Sequence, residues 1–188
     1  MQAASTPSTA STSSAHDFDF LMGSWEVSNR RLKVRNIGST DWDEFQGHQV
    51  MRTVLGGIGN VDEIEFPSKG WSGMSLRFFN PETRQWSIHW VNSRDGIVQA
   101  PVVGAFNNGV GEFFGEDVDD GKAVRVRYTW SHITENAARW EQAYQNHLAQ
   151  LNESWEWREK ISVDLRRRVQ SNMEILRLAP TARSLLNG

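Results

Sequence analysis

The sequence predicts an all-β fold, an antiparallel β-barrel of about ten strands closed around an interior cavity. Two observations carry that expectation. Short β-type runs recur roughly every ten residues, and glycine, proline, asparagine or aspartate turn chemistry separates them. A third observation excludes the main competitor: the connections are too short for the amphipathic helices that a βαβ fold needs.

Taken in order, Gly23-Ser24-Trp25-Glu26-Val27 opens a first strand that runs to about Val34, and Asn36-Ile37-Gly38-Ser39 turns it. Glu44 to Leu55 is a second strand, stopped by Gly56-Gly57. Asn60 to Phe66 is a third, closed by Pro67 and Gly70, and Ser72 to Phe79 is a fourth. Asn80-Pro81-Glu82-Thr83 is a strong turn, because proline presets φ there. Trp86 to Asn92 is a fifth strand, and Arg94-Asp95-Gly96 leads into a sixth from Ile97 to Phe106. Asn107-Asn108-Gly109 turns into Val110 to Glu116, and Asp119-Asp120-Gly121 is a further hairpin signal. In the eighth strand, Ala123 to His132, Val124, Val126, Tyr128 and Trp130 alternate with Arg125, Arg127, Thr129 and Ser131. That is the period of a half-buried strand. Ala138 to Tyr144 and Trp155 to Leu165 complete the set, and Tyr144 to Glu153 reads either as a helical turn or as an extended hairpin.

The flanks differ. Residues 1–16 are Ala, Ser, Thr, Gln and Pro with one Met and one His, which predicts a disordered N-terminal tail before a barrel over 17–168. They lack the basic and apolar regions of a secretory signal. Residues 169–188 are a C-terminal tail or a short helix using Met173, Leu176 and Leu178, ended by Pro180. That tail either caps the barrel, pairs two copies as a homodimer, or stays loose.

Composition narrows the function. With 20 Lys plus Arg in 188 residues and a net charge of -3, no basic excess is present for a phosphate backbone, so no nucleic-acid partner is expected. No run of 18 apolar residues exists, so no membrane span is expected. The absence of cysteine removes disulfides, thiolate metal sites and thiol nucleophiles, and it fits a cytoplasmic location. Nine Trp and nine Phe supply large flat surfaces, which serve either as core or as the walls of a ligand site.

A Gly-x-Trp at the start of the first strand, Gly23-Ser24-Trp25, resembles the signature of calycins, the lipocalin and fatty-acid-binding group. The resemblance implies that Trp25 closes the barrel base and that a basic residue after the last strand, Arg166 or Arg167, covers its ring. The stretches from His16 to Trp25, Leu55 to Glu63 and Ser75 to Ile88 are similar to a narrower bacterial group, the DUF1579-type calycin-like domains, over roughly residues 16 to 145. That likeness implies a calycin-like barrel and supplies no reaction or cofactor. Beyond Tyr144 the match weakens at Gln145-Asn146-His147-Leu148.

Strand alternation groups the candidate residues, and the inward set is expected to be His48, Arg52, Asn60, Asp62, Trp86, Trp90, Tyr128 and Trp130. His48, Arg52 and Tyr128 are the catalytic candidates: His48 moves a proton, Arg52 meets an oxyanion or carboxylate, and Asp62 holds Arg52. Asn60, Asp62, Trp86, Trp90 and Trp130 are the ligand-binding candidates, flat rings with a few orienting polar groups. No metal or cofactor is expected. His89 and His132 raise haem ligation, but the five histidines are scattered and form no chelating pair. Ser75, Ser87 and Ser131 lack a nucleophile elbow, no helix follows Gly56-Gly57-Ile58-Gly59, and Asp117 to Asp120 reads as a hairpin and not a calcium loop.

Three functions fit. The first is a binder of a small, largely apolar or aromatic molecule, whose cavity should be lined almost wholly by apolar groups. The second is a cofactor-independent isomerase, cyclase or lyase acting on a hydrophobic intermediate, which needs a titratable group pointing into the cavity with a shifted pKa. The third is a protein–protein module, with a filled barrel and an apolar outer patch.

Overall fold

The computed structural model describes residues 13–34, 39–119, 121–146 and 148–160, with side chains through Tyr144. Ten antiparallel strands form one sheet: β1 (Gly23–Leu32), β2 (Trp42–Val54), β3 (Gly59–Phe66), β4 (Trp71–Asn80), β5 (Gln85–Asn92), β6 (Val102–Asn107), β7 (Val110–Asp119), β8 (Lys122–Ser131), β9 (Ala137–Asn146) and β10 (Leu148–Lys160). Each strand pairs with its sequence neighbours, and β1 also pairs with β10, which closes the barrel. Closure removes both free edges, so no strand is left with a row of unpaired backbone groups. The described residues hold no helix long and apolar enough to cross a membrane.

Turn chemistry sets the register between neighbours. Asn107 pairs with Val110 across the two-residue loop Asn108-Gly109, where φ is 49° and 78°. Both residues sit in the left-handed region that this tight hairpin requires, and asparagine and glycine tolerate it best. The segment after Tyr144 resolves as a hairpin, with Leu148 opposite Asn146, so β10 starts earlier than Trp155. The sixth strand is shorter than expected, starting at Val102 and not Ile97. Pro101 has no N–H for a ladder. The Asp95 carboxylate takes the Ile97 N–H at 2.9 Å, and the Gln99 N–H reaches Trp90 O at 2.8 Å. Residues 93–101 therefore form a loop.

Because neighbours run antiparallel, Gly23, Val54, Gly59, Asn80, Gln85 and Asn107 lie at one end, the base. The base is filled from below by residues 13–22, including a short 3-10 turn at Asp19–Leu21. Phe18 inserts its ring among those of Trp86, Phe106, Phe113 and Trp130, at centroid distances of 5.0 to 5.9 Å. The Trp25 Nε1–H donates to Leu21 O at 2.8 Å. The Asp17 carboxylate accepts from Ser13 Oγ, from Ser14 N at 2.9 Å and from Trp86 Nε1 at 3.1 Å. Residues 13–16 thus pack on the barrel, with Ser13 buried; the rest of the expected N-terminal tail, Arg166, Arg167 and the expected C-terminal helix lie outside the described residues.

Candidate functional site

Alternation along the strands decides what reaches the interior. On β2 the buried residues are Phe45, Gly47, Gln49 and Met51, so His48 and Arg52 point to solvent. This corrects the expected inward placement of both. His48 Nδ1 lies 2.7 Å from Glu26 Oε1 on the outer surface. The partner expected for Asp62 changes with it. On β4 the inward face carries Trp71, Gly73, Ser75, Arg77 and Phe79, and Arg77 takes the place given to Arg52.

Arg77 and Asp62 form a buried ion pair, with the Arg77 Nη1–H donating to Asp62 Oδ2. Nη1 also donates to Asn60 Oδ1 at 3.3 Å and lies 4.0 Å from the Met51 sulfur. Register explains the meeting: Asn60 stands opposite Arg77 in the β3–β4 ladder, and Asp62 lies two residues further along the same inward face. Two charges taken out of water need this pairing, since either one alone would carry a large desolvation cost.

Above this pair, toward the other end of the barrel, lies a partly open cavity of about 220 Å³. Its inner part is bounded by Ser75, Arg77, Ile88 and Trp130, and Trp90, Tyr128, Trp140 and Gln142 line its walls. The Tyr128 and Trp140 rings meet edge to face at 4.9 Å. Around the mouth stand Arg31, Trp71, Asn92, Arg94, Gln99, Asp117, Val118 and Tyr144. The Arg94 guanidinium lies 4.4 Å above the Trp71 ring, and the Tyr144 hydroxyl donates to Asp117 Oδ2 at 3.0 Å. Gly73 makes room for one wall: a Cβ there would sit 2.1 Å from Trp90 Cη2.

The fold therefore brings Trp90, Tyr128 and Trp130 together in the cavity. Asn60 and Asp62 face inward and hold Arg77 from behind. Trp86 belongs to the base, fully buried against Phe18 with its Nε1–H given to Ser14 O and Asp17. Sequence reasoning missed Arg77, Trp71, Trp140 and Tyr144. The signal for Arg77 is its even spacing from Trp71, Gly73 and Ser75, but the alternate set Met74, Leu76 and Phe78 is the more apolar one, so hydrophobicity alone points the wrong way. The lining mixes polar and aromatic groups, where a plain carrier was expected to be lined almost wholly by apolar ones. Among the described residues, no group of three or more His, Cys, Asp or Glu is placed to hold a metal ion.

Compared with known proteins, the chain matches no family model and no curated protein.

Proposed function

We propose that this protein binds one small, mainly aromatic molecule in the upper half of a calycin-like barrel of the DUF1579 type, in the cytoplasm and without a cofactor. The observation that carries the reading is the cavity of about 220 Å³ walled by Trp90, Tyr128, Trp130 and Trp140. Flat rings with a few convergent polar groups are the usual lining of a small-molecule site. The base supports it too: residues 13–22 fill that end, and among the described residues the cavity lies toward the opposite end, beside Trp71 and Arg94. The enzyme alternative keeps Tyr128 in the wall but loses His48 and Arg52, which face solvent, so binding is the better supported of the two.

Native mass spectrometry of the protein purified from its own host tests this. The expected result is a mass excess of one small molecule that disappears on denaturation. It should weaken in Trp90→Ala and persist in Arg52→Ala. A protein that retains nothing and takes up no one- or two-ring aromatic probe would overturn the reading.

A further inference from the structure

The ligand-binding reading leaves open which chemical group the guest presents, and Arg77 speaks to that. The side chain is 4% exposed, and its partner Asp62 is 1% exposed. A guanidinium carries five N–H donors. Nη1 serves Asp62 and Asn60, whereas Nε is buried with no hydrogen-bond partner among the described residues. Rings cover the guanidinium on the base side, with its carbon 5.2 Å from the Phe18 centroid and 5.9 Å from that of Trp130. Arg77 also lines the inner end of the cavity, so its guanidinium brings a charged donor group to an aromatic-walled space.

We propose that the cavity selects an uncharged, planar molecule of one or two rings bearing a carbonyl or similar neutral acceptor, and that Arg77 is the residue that recognises this acceptor. The inference rests on the ligand-binding reading above and adds the ligand's class. Charge decides between acceptors. Arg31 and Arg94 stand at the mouth, and at the inner end Asp62 already neutralises Arg77, so a ligand carboxylate reaching Arg77 would bring a second anion to one guanidinium in a place poorly screened by water. A carbonyl accepts from the charged donor and adds no net charge. A hydrogen bond to a charged group is worth a factor of about ten or more in affinity. Volume sets the size, because about 220 Å³ lies below the roughly 300–1,000 Å³ of sites that take drug-sized ligands.

The test is isothermal titration of the full chain with three probes of nearly one shape: 2-acetylnaphthalene, 2-isopropylnaphthalene and 2-naphthoate. 2-Acetylnaphthalene is expected to bind about tenfold tighter than either of the others. Asp62→Asn, which removes the neutralising anion, should raise naphthoate affinity about tenfold and leave the ketone nearly unchanged. Arg77→Met alone strands the Asp62 carboxylate, so the paired variant Arg77→Met/Asp62→Leu is made with it; the ketone should lose its advantage over the isopropyl probe in both. Equal binding of ketone and isopropyl probe, or tightest binding of naphthoate to the native protein, would overturn the inference and leave the cavity as a binding site. Failure of all three probes to bind would overturn both.

Discussion

The two ends of this barrel are made from the same strands and the same kinds of ring, yet one is a solid core and the other is hollow. At the base, Phe18, Leu21, Trp25, Trp86 and Phe113 are completely buried. In the hollow half, Trp71 and Trp90 are only half-buried, and the rings share the lining with Ser75, Arg77, Asn92 and Gln142. The difference is a ten-residue segment ahead of β1 that fills one end. A closed barrel of this size has more interior than its own strand side chains occupy. Rings filled in by Phe18 become core, and rings without such a filler become walls. Aromatic content therefore does not by itself tell a ligand site from a core.

The sharpest way to break this comparison is to remove the filler. Phe18→Ala deletes a ring that packs against five others, and such truncations cost about 3–5 kcal/mol. Urea denaturation should show a loss of that order. A loss under about 1 kcal/mol would mean that the base is not the main core.

Gly73→Ala probes the hollow end. The added methyl has no place unless the Trp90 ring moves, because Cη2 and Cζ2 would be 2.1 and 2.3 Å away. Overpacking of this kind costs about 1–3 kcal/mol. The near-ultraviolet circular dichroism should change, and affinity for a two-ring probe should fall about tenfold, since the displaced ring enters the cavity. Unchanged affinity would place the binding site elsewhere.

The smallest effect concerns the loop beside the mouth. The Asp95 carboxyl is held below the usual aspartate range, first by the Ile97 N–H at 2.9 Å and then by the Asn92 amide at 3.1 Å. A depressed pKa in the folded state means that these bonds stabilise the loop fully above the ordinary aspartate value, about 3.9, and that the contribution is lost as pH falls through the lowered one. The loop should loosen in acid while the base holds. Amide exchange at Ile97, followed from about pH 5 to about pH 2, should accelerate beyond the intrinsic trend. Protection that stays constant over that range would show that the carboxylate does not hold the turn.

How much of the site could be read in advance varied from strand to strand, for one physical reason. In β8, Val124, Val126, Tyr128 and Trp130 oppose Arg125, Arg127 and Thr129, so polarity and facing agree and the reading of Tyr128 and Trp130 is direct. In β2 both faces carry apolar residues. Val50 is 59% exposed while Gln49 is buried, so a pattern read from hydrophobicity is out of step by one residue. That step turned His48 and Arg52 to the wrong side. In β4 the same ambiguity hid Arg77, because Met74, Leu76 and Phe78 lie on the outer face, half-buried.

By itself the sequence determined the class of fold, the approximate number of strands and most of the turns, because period-two patterning and the φ demands of Asn-Gly and Pro-containing loops are local properties. Tertiary structure alone decided that residues 13–22 seal one end, that Asp62 pairs with Arg77, and that the rings above them enclose a space. Those outcomes depend on strand register and on which residues meet across a closed barrel, and contacts between distant positions leave no mark on any short window of sequence.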